Sequence, residues 1–523
     1  MRIHIADDGE TLRTIAQKKG IEIGQLISLN PFIPSINLNI AGIQVRMPDS
    51  FVPVRANAPL PSCDQFIPQV SLERMAQTHY DVIVIGTGAG GGAAIWRLCN
   101  QFKDSGKKVG VVEAGPVLLQ THEYNLPILS EQLSLQNVSV PVGNGLKTRL
   151  VYALGGRTLY WSLVSPRMYA GELARFPVPL REMNLYYNIA EQIMNVTTRS
   201  KFSPYMNPFS QFFMSQLWEG GFPEATVGPV ASNFEPNKYG SIVHFSSLSF
   251  LGEGFKQLPF DLAVNARAVQ IHTEQGIAAG VTVMTPDKQS YFISAKNVIV
   301  SAGSFETPRL LLYSGIEGRA IGHYLTHHTH LEFKFKTSPM REDLPEIGPV
   351  FIMLPQTESR PYQFVVGVKV QTLEPTAELE VGGGVFGKVE PRFENKVSLN
   401  PLLKDDYGVP ILQVDFSHSE QDEAVKVQMV DAVHTLASVM GAETEPLITP
   451  TVAPGGDFHE AGTCRMGDDP DTSATDRFGQ IHGVPGLYVA DNSVLPTTGG
   501  ANPTLTTVAL AIRTADHIAQ QLK

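Results

Sequence analysis

The stretch HYDVIVIGTGAGGGAAIWRLCNQF, residues 79–102, decides the fold. It opens with Asp81–Ile85, a short β-branched apolar run that predicts a buried strand. A glycine-rich turn follows, and then an apolar run that predicts a helix. Gly86 permits the tight turn, Gly88 lets backbone approach a pyrophosphate, and Gly91 lets the helix pack on the strand. We therefore expect a dinucleotide site at this helix start, where N–H groups and the helix dipole favour phosphate.

A second strand and an acidic residue complete this pattern. Lys108–Val112 predicts a strand, and Glu113 follows it, 22 residues after Gly91. An acid about 20 residues beyond the glycines is placed to bind ribose hydroxyls. The full strand–turn–helix–strand–acid order disfavours a glycine-rich turn in an unrelated α/β protein. The motif alone fits NAD as well as FAD, and a second cofactor-like segment near the end of the chain favours FAD.

Composition excludes several classes of protein. The 523 residues are 43% hydrophobic and 17% charged, so the chain can bury large cores and is not a disordered protein. At roughly 150 residues per domain, this length predicts about three folding units. The net charge of −11 disfavours a nucleic-acid or anionic-membrane partner, because both need a basic surface.

Cysteines and the N-terminal sequence bear on the compartment. Cys63, Cys99 and Cys464 are far apart, so we expect neither a disulfide framework nor a cysteine metal site. The sequence MRIHIADDGETLR lacks the apolar region of a signal peptide, and no uncharged run is long enough to span a bilayer. These features predict a cytoplasmic protein.

The first 50 residues are expected to form a small module of their own. Ile3–Ile5 and Gln44–Met47 alternate as strands around two helical runs, which predicts the order βααβ. The segments GETLRTIAQKKGIEIGQLISLNPFI and AGIQVRMP resemble a LysM domain. That resemblance implies binding of N-acetylglucosamine-type glycans near residues 9–12 and 30–33. The alternative is a docking or homo-oligomer-forming module, which the lack of an export signal favours.

Polar residues concentrate in unusual contexts near the end of the chain. GGDFHEAGTCRMG, residues 455–467, places His459 just before a glycine-containing turn. Further on, a buried strand over Leu487–Ala490 leads into Asp491 and Asn492. An acid at a strand end can hydrogen-bond ribityl hydroxyls, or a phosphate through neighbouring backbone.

A Thr-Gly-Gly loop then precedes the last predicted helix. Asn502 suits the helix cap and Pro503 the first turn, so the helix beginning at Thr504 should offer free N–H groups. Such a helix start stabilises the negative charge that a reduced flavin carries on one edge of its ring.

Five motifs together resemble the glucose–methanol–choline (GMC) flavin oxidoreductases over residues 79–523, in the sugar-oxidising branch. They are YDVIVIGTGAGGGAAIWRL with VGVVEAG, LGGRTLYWSLVSPRM, NVIVSAGSFETPRLLLYSGI, HEAGTCRMG and GLYVADNSVLPTTGGANPTLT. The resemblance implies a mixed α/β (α+β) fold, in which an FAD-binding Rossmann-like domain is interleaved with a substrate domain on an antiparallel sheet. It also implies oxidation of an alcohol CH–OH to a carbonyl, with hydride transfer to flavin N5.

By the same resemblance, two residues form the catalytic pair. His459 matches the family's active-site histidine, and Asn502 matches the second member of the pair, which is His or Asn. An imidazole, with an unperturbed pKa near ~6.5, is suited to take the hydroxyl proton. Asn502 can hydrogen-bond the substrate oxygen and fix its angle. A buried structural histidine is the alternative for His459 taken alone.

The motifs assign cofactor contacts to thirteen positions. The segment GGRTLYW should lie against the isoalloxazine ring, and Tyr160 stands where some sugar-oxidising members carry a histidine bonded covalently to flavin. We therefore expect noncovalent FAD. The expected cofactor-binding residues are Gly86, Gly88, Gly91, Glu113, Gly155, Gly156, Arg157, Ala268, Asp491, Asn492, Asn502, Pro503 and Thr504.

A histidine-rich segment precedes the expected substrate sheet. IGHYLTHHTHLEF, residues 321–333, contains His323, His327, His328 and His330, which taken alone suggest a metal site. Metal ligands must converge, and no neighbouring cysteine or acid in the sequence supports such a site. We therefore expect a structural or pocket-lining role and no metal.

Domain boundaries follow from the motif positions. We expect a LysM-like module over 1–50, an irregular proline-rich linker over 51–78, an FAD-binding domain over 79–170, 231–325 and 450–523, and substrate-binding and lid segments over 171–230 and 326–449.

The expected function is FAD-dependent oxidation of a sugar, glycoside or other polyol, with His459 as the base. The electron acceptor is O2 or another molecule, and an aminosugar or a non-sugar alcohol is a variant substrate. Two other classes stay open. A glycan-binding protein with an inactive flavin domain is disfavoured by the intact His459–Asn502 pair, and an NAD-dependent dehydrogenase would be excluded by bound flavin.

Overall fold

The computed structural model describes residues 2–47, 68–118, 138–139, 146, 148–159, 161–197, 203–234, 243–337, 347–372, 378–450 and 455–523. The chain divides into two compact units, Met1–Ile67 and Pro68–Lys523. None of the helices in these described ranges combines the length and apolarity that crossing a membrane requires.

The N-terminal unit has the expected βααβ order. Strand β1 (Arg2–Ile5) pairs antiparallel with β2 (Gln44–Met47), and helices α1 (Leu12–Lys19) and α2 (Ile23–Leu29) lie between them in the chain. The core is made of small and aliphatic side chains, namely Ala6, Leu12, Ile15, Ala16, Leu26, Ile33, Ile40, Val45 and Met47. The LysM assignment of this unit stays a prediction.

The second unit confirms the mixed α/β class. Its helices are α3 (Leu72–Ala76), α4 (Ala89–Phe102), α5 (Ala170–Leu173), α6 (Leu180–Ile193), α7 (Pro208–Glu219), α8 (Ser247–Gln257), α9 (Gly303–Tyr313), α10 (Glu420–Val439) and α11 (Thr504–Gln521). Its strands are β3 (Tyr80–Ile85), β4 (Val109–Val112), β5 (Val138–Ser139), β6 (Arg149–Leu150), β7 (Val196–Thr197), β8 (Thr226–Val227), β9 (Val230–Asn233), β10 (Val243–His244), β11 (Asp261–Ala263), β12 (Arg267–Glu274), β13 (Ile277–Met284), β14 (Ser290–Val300), β15 (His328–Thr337), β16 (Val350–Leu354), β17 (Tyr362–Thr372), β18 (Glu378–Lys388), β19 (Lys396–Lys404), β20 (Pro410–Asp415), β21 (Leu447–Pro450) and β22 (Leu487–Val489).

A parallel sheet carries the glycine motif. Strands β11, β4, β3 and β14 pair side by side, and β22 pairs with the end of β14, all in parallel. The first part of β14 pairs instead with the antiparallel hairpin β12–β13. Val82, Ile83 and Val84 of β3 are fully buried, which explains its continuous apolar run. The carboxyl ends of the parallel strands meet at one edge, where open α/β sheets bind ligands.

A six-stranded antiparallel sheet forms the second layer of the unit, in the order β21-β15-β18-β17-β16-β8. Helices α7 and α10 cover it with buried side chains, including Phe209 and Phe213 from α7 and Met429 and Val433 from α10. Residues 330–337 and 362–372 alternate between apolar and polar in the sequence, which predicts strands, and β15 and β17 include these residues. Alternating burial along β15 reflects one face on this core and one face away from it.

Two segments differ from expectation. Residues 51–67 of the expected linker lie outside the described residues, whereas Leu72 and Met75 of α3 are buried and Val70 donates its backbone N–H to the carbonyl of Leu262 at 2.8 Å. The hairpin β19–β20 lies within the expected substrate segment, yet it forms its own two-stranded sheet. Val397 of β19 and Leu412 and Val414 of β20 share a core with Phe305 of α9.

Candidate active site

A cavity of about 490 Å³ joins the glycine turn to the C-terminal polar residues. This volume lies within the range of cofactor and small-molecule sites. Gly91 and Gly155 lie outside the lining. The expected site residues that do line the cavity are Gly86, Gly88, Glu113, Gly156, Arg157, Ala268, His459, Asp491, Asn492, Asn502, Pro503 and Thr504.

The glycine turn has the geometry that its spacing predicts. Gly86 adopts a positive φ of 92°, and a Cβ there would lie 2.4 Å from the carbonyl oxygen of Ser301. A Cβ on Gly91 would lie 2.1 Å from the carbonyl oxygen of Gly86, so helix α4 packs directly on the turn. Gly88 differs, since none of the described atoms lies within 4 Å of its Cβ position. The cavity therefore opens beside the start of α4, where a pyrophosphate would bind.

Glu113 holds this turn through hydrogen bonds. Its carboxylate accepts hydrogen bonds from the backbone N–H of Thr87 at 3.0 Å, the hydroxyl of Thr87 at 2.6 Å and the N–H of Gly115 at 3.0 Å. Burial raises the pKa of this carboxyl. Gly155 donates its N–H to the same Thr87 hydroxyl at 2.9 Å. A ribose contact by Glu113 would use the same carboxylate oxygens that accept these hydrogen bonds. This role stays a prediction.

Asp491 ties three segments together at the end of β22. Its carboxylate accepts from Gly303 N–H at 2.9 Å, Thr307 Oγ1 at 2.5 Å, and the N–H and hydroxyl of Ser493 at 2.8 and 2.5 Å. Burial raises the pKa of this carboxyl as well. Both oxygens serve the chain's own donors, and a cofactor contact at Asp491 stays a prediction.

The last helix begins one residue later than its expected cap implies. Helix α11 starts at Thr504 with Pro503 as its N-cap, so the assignment of Asn502 as the cap is wrong. The Asn502 side chain does not cap the helix, because its oxygen and its nitrogen both contact other side chains. Gln363 donates from Nε2 to Asn502 Oδ1 at 2.9 Å, and Asn502 Nδ2 lies 3.3 Å from His459 Nε2.

His459 and Asn502 are therefore brought together, at 3.3 Å, in the wall of the cavity. Burial lowers the pKa of His459 to about 4, so its ring is neutral near neutral pH. A neutral imidazole keeps one nitrogen lone pair and can act as a base. The other ring nitrogen, Nδ1, lies 3.0 Å from Nδ1 of His328.

A buried carboxylate stands behind these rings. Asp457 Oδ1 lies 3.1 Å from His327 Nδ1, and Oδ2 accepts the backbone N–H of His328 at 3.0 Å. The same Oδ2 lies 3.8 Å from Nδ1 of both His328 and His459. Burial alone would raise the pKa of Asp457, yet the neighbouring imidazoles, His327 first, hold it well below its ordinary value. Asp457 is therefore a carboxylate that can stabilise positive charge on His459.

The sequence neighbours of the histidine-rich segment implied that no acid lies near it, and this expectation was wrong. Asp457, from a distant part of the chain, contacts His327 and His328. His323 packs against Phe393, with ring centroids 3.9 Å apart, and His330 stacks on Phe386 at 4.6 Å. Among the described residues, His328, Asp457 and His459 offer metal-ligand atom types within 4.8 Å of one another, and the expectation of no metal stays a prediction.

Arg157 contacts the residues on either side of His459 in the chain. It donates from Nη1 to Glu460 Oε2 at 2.7 Å and to the carbonyl oxygen of Phe458 at 3.1 Å. The residues before and after His459 are thereby fixed to the GGRTLYW segment. Tyr160, on which the expectation of noncovalent FAD rests, lies outside the described residues.

The residues present fit FAD. Open space lies beside Gly88 at one end of the cavity, and Pro503 and Thr504 bring the start of α11 to its wall at the other. Gly156 approaches the glycine turn closely, since a Cβ there would lie 3.2 Å from Gly88 Cα. A parallel sheet of the nucleotide-binding type, open space beside Gly88 and a neutral imidazole paired with a carboxamide are the features of a flavin-dependent oxidoreductase.

Comparison with known proteins gives the class of enzyme. The GMC oxidoreductase models match residues 246–330 and 391–511. The chain carries both of these GMC oxidoreductase matches and is an FAD-dependent oxidoreductase acting on CH–OH donors.

Its relatives span most of its length. It is 28% identical over 392 residues to C-glycoside 3-oxidase of Arthrobacter globiformis, covering 71% of this chain and 74% of that one. It is 25% identical over 523 residues to 6'''-hydroxyparomomycin C oxidase of Streptomyces lividus, covering 86% and 92%. The solved structure of pyridoxine 4-oxidase from Mesorbium loti superposes with a TM-score of 0.64 at 15% identity, covering 84% of this chain and 99% of that one. The FAD-binding fold is therefore confirmed.

Sequence reasoning missed several residues that shape the site. Asp457 stands two positions before His459, so its acid type was a usable signal. Gly90 was also a usable signal. A Cβ there would lie 1.9 Å from the carbonyl oxygen of Ala490, so the glycine lets the two cofactor motifs pack together. Gln363 carried no such signal, and His328 stood out only as a member of the histidine-rich segment. Their contacts with Asn502 and His459 arise only when the antiparallel sheet packs against the last loop.

Proposed function

We propose that this protein oxidises a hydroxyl group of a sugar or glycoside to a carbonyl, with His459 as the base and Asn502 as the group that orients the substrate oxygen. The observation that carries the proposal is the 3.3 Å contact between Asn502 Nδ2 and His459 Nε2 in the wall of the cavity. The relatives support the substrate class, since C-glycoside 3-oxidase, 6'''-hydroxyparomomycin C oxidase and pyranose 2-oxidase all carry names of sugar-directed oxidases.

The chain's own residues account for the proton. FAD, when bound, accepts the hydride that leaves the alcohol carbon. A substrate hydroxyl lying against both side chains donates to His459 Nε2 and accepts from Asn502 Nδ2, which aligns the C–H bond that must break. His459 takes the proton as its ring becomes charged, and Asp457 Oδ2, 3.8 Å from Nδ1, stabilises that charge.

A neutral sugar or glycoside fits better than a cationic aminosugar. The acids next to His459 already have partners, Asp457 with the histidines and Glu460 with Arg157. A cationic amino group would have to compete with these contacts. A 6'''-hydroxyparomomycin-type aminosugar stays the second candidate, because that relative covers 86% of this chain. The formed His459–Asn502 pair argues against an inactive flavin domain that only binds glycan.

We also propose that FAD is held noncovalently, that O2 or another acceptor reoxidises it, and that the protein is cytoplasmic. Tyrosine at position 160 supports the first point, because a covalent link through imidazole needs a histidine there. Acid denaturation should release the yellow chromophore into the supernatant. Colour retained in the protein pellet would show a covalent bond.

The test of the function is anaerobic reduction of the FAD-loaded protein by a panel of sugars and glycosides. At least one should bleach the flavin, and His459→Ala should keep bound FAD but lose this bleaching by a factor of at least about 100, the usual contribution of a general base. Bleaching of His459→Ala at the wild-type rate would show that another residue takes the proton.

A further inference from the structure

Gln363 controls which way the Asn502 carboxamide faces. It is the second residue of β17 and is 1% exposed, and its Nε2 donates to Asn502 Oδ1 at 2.9 Å. An amide nitrogen can only donate, so Asn502 must turn its oxygen toward Gln363. Its NH2 group is then left on the side of His459 Nε2.

This orientation favours one tautomer of His459. Because Asn502 presents N–H groups, His459 Nε2 matches them when it is the nitrogen with the lone pair. The ring proton of neutral His459 is then on Nδ1, which lies 3.0 Å from His328 Nδ1. His328 must accept it there. The four side chains form one directional chain of hydrogen bonds, from Gln363 through Asn502 and His459 to His328.

We propose that Gln363 and His328 are positioning residues that hold His459 in the tautomer with its lone pair on Nε2, the form that can accept the substrate proton. The inference rests on the proposed role of His459 as base. Neither residue lines the cavity. Each acts through a member of the catalytic pair.

Packing keeps the arrangement in place. Phe386 faces Gln363 across the β17–β18 ladder, and its ring lies 5.5 Å from that of His459 and 5.9 Å from that of His328. Gly500, two residues before Asn502, is pressed on these strands, since a Cβ there would lie 3.1 Å from both Gln363 N and Phe386 O. The antiparallel sheet thereby sets the protonation pattern of a base that belongs to another segment.

The test uses the FAD-loaded full chain with two variants, Gln363→Met and His328→Phe. Each removes one end of the chain of hydrogen bonds without adding charge. In histidine-labelled protein, the ¹⁵N signals of His459, assigned by their loss in His459→Ala, should show an unprotonated Nε2 in the wild type. Each variant should move the ring proton toward Nε2. Gln270→Met, at an exposed position of β12, is the matched control and should leave these signals unchanged.

Kinetics give the second readout. Each variant should lower the limiting rate of flavin reduction by roughly 10-fold or more, a part of the 10²–10⁴ that a general base contributes, while KM and FAD content stay near wild type. Wild-type ¹⁵N signals in both variants, or a loss confined to KM, would overturn the inference. If no sugar or glycoside reduces the wild type, the proposed function fails, and the ¹⁵N signals still decide the tautomer.

Discussion

Replacing Asp457 by asparagine should slow the chemical step while FAD stays bound. The carboxylate oxygen Oδ2 lies 3.8 Å from His459 Nδ1, and the Asp457 side chain is 1% exposed while that of His459 is 17% exposed. At that distance and an effective dielectric constant of about 20, a carboxylate stabilises a full positive charge on the ring by about 4 kcal/mol. A transition state with the proton half transferred would be stabilised by about 2 kcal/mol, which is roughly 30-fold in rate. A transition state with the proton fully transferred would gain roughly 1000-fold in rate.

The assay is the limiting rate of anaerobic flavin reduction at saturating substrate. Asp457→Asn keeps the size of the side chain and one oxygen that can still accept the His328 N–H, so FAD content should not change. Asp471→Asn, an exposed aspartate further along the same segment, is the control and should reduce at the wild-type rate. A fall of less than a factor of about three in Asp457→Asn would refute the electrostatic role of this carboxylate.

Three further outcomes follow from buried groups and glycines. Burial lowers the pKa of His328 to about 3 and of His459 to about 4, so unfolded chains bind protons that the folded protein refuses as pH falls from about 6.5 toward 4. The free energy of unfolding should drop across that window by up to about 1.4 kcal/mol per pH unit for each ring, and a flat profile in denaturant titrations would contradict this. Gly88→Leu fills open space in the cavity and should weaken FAD binding at least about tenfold in equilibrium titrations with little change in stability of the FAD-free protein; unchanged affinity would remove Gly88 from the cofactor site. Gly90→Ala should instead lower the free energy of unfolding by about 1–3 kcal/mol, because its Cβ would overlap the Ala490 carbonyl, and wild-type stability would show that this approach can relax.

The nucleotide-binding half was predictable because its signals are local. A continuous apolar run forms β3. At Gly86 and Gly91, which follow it, a side chain would overlap the backbone, as the motif predicts. Residue spacing is enough for such features, since strand, turn and helix are neighbours in the chain. The same holds for β15 and β17, whose alternation the sequence shows directly.

The burial of helix α11 could not be predicted from its local sequence pattern. The sequence displays one apolar stripe, yet the helix is buried on nearly all sides. Its polar residues are paired instead of exposed, with Arg513 donating to Glu182 at 2.7 Å and Asp516 accepting from Arg97 at 2.6 Å. These partners come from α6 and α4, so only the packed arrangement shows why charges on that face are tolerated.

The chain of hydrogen bonds behind the base was beyond sequence reasoning for the same cause. His328 and His459 are 131 residues apart, and Gln363 and Asn502 are 139 apart. A glutamine in a strand or a histidine in a histidine-rich run has many ordinary roles. Their meaning appears only when the antiparallel sheet and the loop before α11 are placed against each other.

The central claim is that His459 takes a hydroxyl proton while the carbon beside it gives up a hydride. It is tested most directly by a single anaerobic turnover with a glycoside carrying deuterium at the oxidised carbon. The account predicts flavin bleaching, one carbonyl product per flavin and slower reduction than with the protiated glycoside. A flavin that dithionite bleaches but that no sugar or glycoside reduces would contradict it.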